Sequence, residues 1–221
     1  MRILGFSLAA LVSLGLACAT LGTGSTDASG LKEALRIATE RAVASTSQTN
    51  GFLENPKIRI GLPGTLGKMA SALRVIGMGA QVEELELAMN RAAEKAAGEA
   101  TPIFVDAIAQ MSFQDAAGIV TGGDTAATDY FERTTSDPLR LRFRPIAEQA
   151  MQSVGLAQQY DQLMSRYAAI PFAKKPKLDL PSFVADRTLA GLFSVIGDEE
   201  KKIRTDPAAR TTELLRQVFG R

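Results

Sequence analysis

Five carboxylates fall within one stretch of this chain: Asp106, Asp115, Asp124, Asp129 and Glu132. Paired carboxylates can divide acid–base work in a hydrolysis, one protonated and one ionised. A converging set of oxygens can also hold calcium. Asp124 with Asp129 or Glu132 is the pair that a hydrolytic role would use. The spacing does not follow the alternating acidic positions, central glycine and distal Glu of an EF-hand loop. Helix caps and solvated helix faces account for the same residues without any ligand.

The segment Thr121-Gly122-Gly123-Asp124, followed by Thr128 four residues on, has a second chemistry. Successive glycines ahead of a helix turn backbone N–H groups toward one point, an arrangement that suits an anion. The same residues also spell a tight interhelical turn, with positive φ at the glycines and Asp124 as N-cap. A capping carboxylate would fill the site that an external anion needs. Asn90, Arg91 and Glu94 form another polar group within about one helical turn. Asn90 and Glu94 are spaced i,i+4, and Arg91 reaches Glu94 at i,i+3, so they can line a cleft or make a local surface pair. Arg140, Arg142 and Arg144 alternate with apolar residues, but on a helix they spread around the cylinder. They give a mixed solvated face, with phosphate or headgroup contact as the alternative.

Composition removes whole classes of chemistry. The chain has no histidine and no tryptophan, and its one cysteine is Cys18. No Ser-His-Asp or Cys-His nucleophile and no imidazole metal site can be built. No cofactor is implied. Arg2, an apolar run from Ile3 to Leu16 and the small-x-small Ala17-Cys18-Ala19 together read as a signal peptide over 1–19. The expected address is the periplasm. Leu14 to Cys18 also resembles a lipobox, with Gly15 where leucine is usual, so a membrane-anchored lipoprotein lipidated at Cys18 is the alternative. Loss of Arg2 from 25 Lys and Arg balances the mature chain against its 24 Asp and Glu. A neutral chain has no general pull toward nucleic acid or anionic membranes.

The elements that must position these groups read as helices. Residues 20–30 are small and polar, a flexible lead, and a single helical domain is expected over 31–221. Helices are expected near 31–48, 66–76, 82–97, 99–110, 112–120 and 124–135, then from Ser136 and Pro138 to about Val154. Three more follow near 157–169, 182–204 and 207–219. Ser112 with Asp115 spells a capping box, and Pro102 sits in a first turn where its missing N–H costs nothing. The segments 57–62 and 177–180 alternate polar and apolar residues and could pair as a short two-stranded ribbon. The fold expected is all-α, a bundle-like antiparallel domain of about ten helices.

Several blocks together resemble a known family. They are Gly30-Leu31-Lys32-Glu33-Ala34-Leu35, Asn55-Pro56 with Ile58-Arg59-Ile60, and Met89-Asn90-Arg91-Ala92-Ala93-Glu94. Phe104-Val105-Asp106-Ala107-Ile108, the segment from Thr121 to Phe131, Pro207, and Leu215-Arg216-Gln217-Val218-Phe219-Gly220 complete the set. The chain is similar over its mature length to the exported bacterial proteins catalogued as domain of unknown function 4197. That resemblance implies a mostly helical domain in the Gram-negative envelope and brings no catalytic residues with it. The function expected is a non-enzymatic envelope protein binding a partner or a small apolar ligand between helices. A histidine-free carboxylate hydrolase and a calcium-stabilised module are the alternatives.

Overall fold

The computed structural model describes residues 23–62, 64–153, 156–169 and 179–210, together with Glu213 and Arg216. The segment 1–19 read as a signal peptide, with Cys18, and also Lys177, Leu178 and most of the last expected helix lie outside the described residues. Eight α-helices run through the rest: α1 Thr23–Ser47, α2 Gly64–Val75, α3 Gly79–Ala97, α4 Thr101–Gln110, α5 Phe113–Thr121, α6 Ala126–Ser153, α7 Leu156–Ala168 and α8 Leu180–Thr205. A 3₁₀ turn at Pro207–Ala209 follows. α1 begins at Thr23, inside the stretch read as a lead. The domain is all-helical, and no helix among the described residues is long and apolar enough to cross a membrane.

The count differs from ten chiefly because α6 does not break at Ser136 and Pro138. Pro138 and Pro145 both lie inside one 28-residue helix. The reason is the stripe Ala127, Phe131, Thr135, Leu139, Phe143, Ala147, buried at every fourth residue. A break at Pro138 would take the first half of that stripe out of register with the second. Burying Phe131, Leu139 and Phe143 gains about 1.5–3 kcal/mol each, enough to offset roughly 3 kcal/mol per interior proline. Both prolines face solvent. Ser136 is therefore no N-cap; its hydroxyl donates to the Glu132 carbonyl one turn back.

α6 is the central post, packing against α3, α4, α5, α7 and α8. Arg140, Arg142 and Arg144 tie it to neighbours rather than forming a basic face. Arg140 donates to Asp186 at 2.7 Å and to Asp137 at 3.0 Å, Arg142 pairs with Glu99, and Arg144 donates to Ser182 at 3.1 Å and pairs with Asp179. One core cluster gathers α1, α4, α5, α6 and α8 around Phe104, whose ring meets Phe131 edge-on at 5.3 Å and Phe193 at 6.3 Å. A second cluster joins α2, α3 and α7 to the loop after α1 through Phe52, Ile58 and Ile60.

That loop, residues 51–62, is a chain of turns and not a strand. The alternation is real: Ile58 and Ile60 are buried while Lys57 and Arg59 are exposed. No ribbon forms there, because Ile60 has another partner. Its N–H donates to Asn90 Oδ1 at 2.8 Å, and Asn90 Nδ2 donates to its carbonyl at 2.9 Å. One buried side-chain amide thus does what a neighbouring strand would do.

Candidate functional site

The Thr121–Asp124 turn joins α5 to α6. Neither Gly122 nor Gly123 takes the positive φ that the turn reading expected. Gly122 is instead required by close approach: a Cβ there would lie 2.6 Å from the Ala126 Cβ and 2.7 Å from the Gly118 carbonyl oxygen. Nothing crowds Gly123. Thr121 is exposed and its hydroxyl donates back to the Ala117 carbonyl.

Asp124 does not cap α6. The helix starts at Ala126, so Asp124 stands one residue outside the cap position and points to solvent. The first-turn N–H groups go to Glu200 on α8. Ala127 N–H donates to Oε1 at 2.9 Å, Thr128 N–H to Oε2 at 2.8 Å, and the Thr128 hydroxyl to Oε2 at 2.8 Å. Arg204, one turn on, donates to Oε1 through Nε at 3.0 Å and Nη2 at 2.8 Å. The same Nη2 donates to the Ile119 carbonyl near the end of α5. The donors are the N–H groups of Ala127 and Thr128 in the first turn of α6, and the anion they hold is internal. Glu200 and Arg204 carry no sequence mark beyond an i,i+4 pair, which is why reading the sequence passed over them.

Beside this joint lies an open groove of about 580 Å³ between the first turns of α6 and the second half of α8. Asp124 in the turn and Asp129 and Glu132 on α6 line one wall, and all three are exposed. Phe193 and Gly197 line α8 beside Asp198 and Lys201. Lys57, from the loop, donates to both Asp198 oxygens at 2.6 Å. That pair offsets itself, which leaves the three carboxylates Asp124, Asp129 and Glu132 facing one lysine. Thr128 lies beneath, committed to Glu200.

The other predicted group, Asn90, Arg91 and Glu94, is a latch on the loop. Asn90 is fully buried, and Glu94 is 4% exposed, so this is no surface pair. Glu94 Oε1 accepts the N–H groups of Phe52 and Leu53 at 3.2 and 3.3 Å. Its Oε2 accepts from Arg91 Nη1 at 2.6 Å, and Arg91 Nη2 donates to Asn50 Oδ1 at 2.6 Å. Gly191 on α8 completes the seat, since a Cβ there would sit 2.6 Å from the Phe52 ring.

Asp106 and Asp115 belong to a different cleft of about 440 Å³ between α4, α5 and α6. Asp115 completes the Ser112 capping box and reaches Arg133 at 3.6 Å. Hydrogen bonds from the Ser112 hydroxyl and backbone hold its carboxyl below the usual range. Burial raises the Tyr130 phenol, whose O–H donates to the Ala107 carbonyl at 2.8 Å. The five carboxylates are thus divided between two clefts. Among the described residues no three acidic side chains stand close enough to hold a metal ion. An apolar slot between α1, α6 and α8 measures about 10 Å³, room for no more than one water.

Residues 22–220 match the family described as "Protein of unknown function (DUF4197)", and the chain belongs to that family. Neither the curated proteins nor the solved structures contain a match to it.

Proposed function

We propose that this member of the DUF4197 family is an exported, non-enzymatic protein of the bacterial envelope that binds a protein partner through the groove between α6 and α8. The observation that carries the reading is the groove itself. Three exposed carboxylates, Asp124, Asp129 and Glu132, line one wall, with Ala190, Gly197 and Lys201 on the other. Cationic side chains on the partner satisfy the carboxylates. Around the groove, buried polar side chains are already bonded within the protein; none among the described residues lacks a partner. The joint at Glu200 and the latch at Glu94 give the groove rigid walls, so binding needs little ordering of the protein.

A partner suits this site better than a small apolar ligand, because the apolar slot beneath α6 is too small for one. An acid–base pair suits it less well, because a raised carboxyl needs removal from water and Asp124, Asp129 and Glu132 are exposed. Export places the partner in the periplasm, with the lipidated Cys18 form as the alternative on a membrane surface.

The test is photo-crosslinking in the native envelope from a reactive residue at Asp129, compared with one at Glu148. A discrete adduct from position 129, weakened by salt and lost when Asp124 and Glu132 are changed to Lys, is the expected result. Equal, diffuse crosslinking from both positions, or an adduct indifferent to the charge reversals, refutes the groove as the binding surface.

A further inference from the structure

The loop after α1 carries a reactive dipeptide. An asparagine side-chain amide can be attacked by the backbone nitrogen of the next residue, and glycine, lacking Cβ, hinders that attack least. The chain has three asparagines. Asn55 precedes Pro56, whose nitrogen has no proton to lose. Asn90 lies within α3, fully buried and bonded at both ends of its amide. Asn50 precedes Gly51 and holds a left-handed φ of 71°.

In the folded protein three contacts hold this dipeptide still. Arg91 Nη2 donates to Asn50 Oδ1 at 2.6 Å, and Asn50 Nδ2 donates to the Glu54 carboxylate. Gly51 N–H donates to the Gln48 carbonyl at 2.9 Å. Gly51 is itself wedged: a Cβ there would lie 2.4 Å from the Ser45 carbonyl oxygen and 2.6 Å from that of Thr46.

We propose that Asn50–Gly51 is a deamidation site held closed by the Arg91 latch, so that lifting of the 51–62 loop is recorded irreversibly at Asn50. When the loop opens, the Gly51 nitrogen loses its proton to solvent base and bonds to Asn50 Cγ. The bond from Cγ to the amide nitrogen breaks, and that nitrogen leaves with a returned proton as ammonia. Water then opens the cyclic imide at either carbonyl, giving aspartate or isoaspartate at position 50. No oxidant or cofactor enters. The closed loop blocks the first step, because the Gly51 proton is engaged and both heteroatoms of the Asn50 amide are tethered. The product works against reclosure. A carboxylate at 50 faces Glu54 and competes with Glu94 for Arg91, and isoaspartate lengthens the backbone where Gly51 has no space to give.

The experiment uses the whole purified protein, held at physiological temperature and mildly alkaline pH, with the Asn50 peptide followed by mass spectrometry and an isoaspartate assay. Native protein, urea-unfolded protein and Arg91→Ala are compared, with circular dichroism reporting whether the variant is folded. A charged hydrogen bond on the amide predicts native deamidation roughly ten- to a hundredfold slower than in the unfolded chain, with most of that protection lost in folded Arg91→Ala. Native deamidation at the unfolded rate, or a folded Arg91→Ala at the native rate, overturns the proposal. Where Arg91→Ala does not fold, wild type in urea below its unfolding midpoint replaces it. A rate rising with urea in that range supports local opening, and a rate that stays flat until global unfolding overturns it.

Discussion

Replacing Glu200 by Ala tests the joint on which α5, α6 and α8 meet. The carboxylate is 5% exposed and accepts from Ala127 N–H, Thr128 N–H, the Thr128 hydroxyl and Arg204. Its removal leaves first-turn amides of α6 without an acceptor. It also takes the carboxylate from a guanidinium whose side chain is only 11% exposed, which keeps its bond to the Ile119 carbonyl. Breaking a buried ion pair from one side costs about 3–5 kcal/mol, and that is the loss expected in urea unfolding monitored by circular dichroism. Much of this is the penalty of a largely buried arginine that has lost its carboxylate. Glu200→Ala combined with Arg204→Met should therefore be less destabilised than Glu200→Ala alone, a positive coupling in the double-mutant cycle. Glu200→Gln keeps the shape and one acceptor but loses the charge, and should fall between wild type and Ala. A cost below about 1 kcal/mol for Glu200→Ala is what an exposed pair would give, and it would refute the assignment of Glu200 as the resident anion of α6.

Three further outcomes are expected. Asn90→Ala leaves the Ile60 N–H and carbonyl unpaired in a buried place and should cost about 2–4 kcal/mol, measured by urea unfolding, with faster amide exchange across residues 51–62. Gly122→Ala forces its new methyl into Ala126 and the Gly118 carbonyl and should cost about 1–3 kcal/mol, while Gly123→Ala meets no neighbour and should be neutral or slightly stabilising in the same thermal melts. The Asp115 and Asp179 carboxyls are both lowered, by hydrogen bonds from Ser112 and Ser182 respectively, so each adds stability that is present above its unfolded pKa and is lost as pH falls through the folded value. Urea midpoints measured down through the acid range should show that decline, and Ser112→Ala combined with Ser182→Ala should flatten it.

Where the local signal agreed with tertiary packing, the helices were legible. The Ser112–Asp115 box, Pro102 in the first turn of α4 and the apolar spacing of α3 each act within a few residues, and the folded protein keeps all three. Pro138 misled because propensity is a local preference. The buried stripe from Ala127 to Ala147 runs the length of the helix and overrides it. The pair 57–62 and 177–180 misled in another way. Alternating burial at Ile58 and Ile60 is a strand pattern, but the groups bonded to Ile60 belong to one side chain on α3.

The candidate site divides along the same line. Thr121 to Asp124 was conspicuous as sequence, and so was the trio Asn90, Arg91 and Glu94, but their partners were not. Glu200 is 72 residues from Thr128, and Glu94 is 42 from Phe52. An isolated i,i+4 Glu–Arg pair looks the same whether it faces water or a buried helix start.

By itself the sequence determined which chemistries the chain can attempt, that it folds as helices, and where most of those helices begin. Each of these depends on residue type or on contacts within one turn. Only the tertiary structure decided what each polar group bonds to: a capping carboxylate from α8 rather than Asp124, a buried amide in place of a strand, a latch rather than a surface pair. Those outcomes depend on which distant backbone groups are left unpaired when the helices meet, and burial without a partner costs too much for them to remain so.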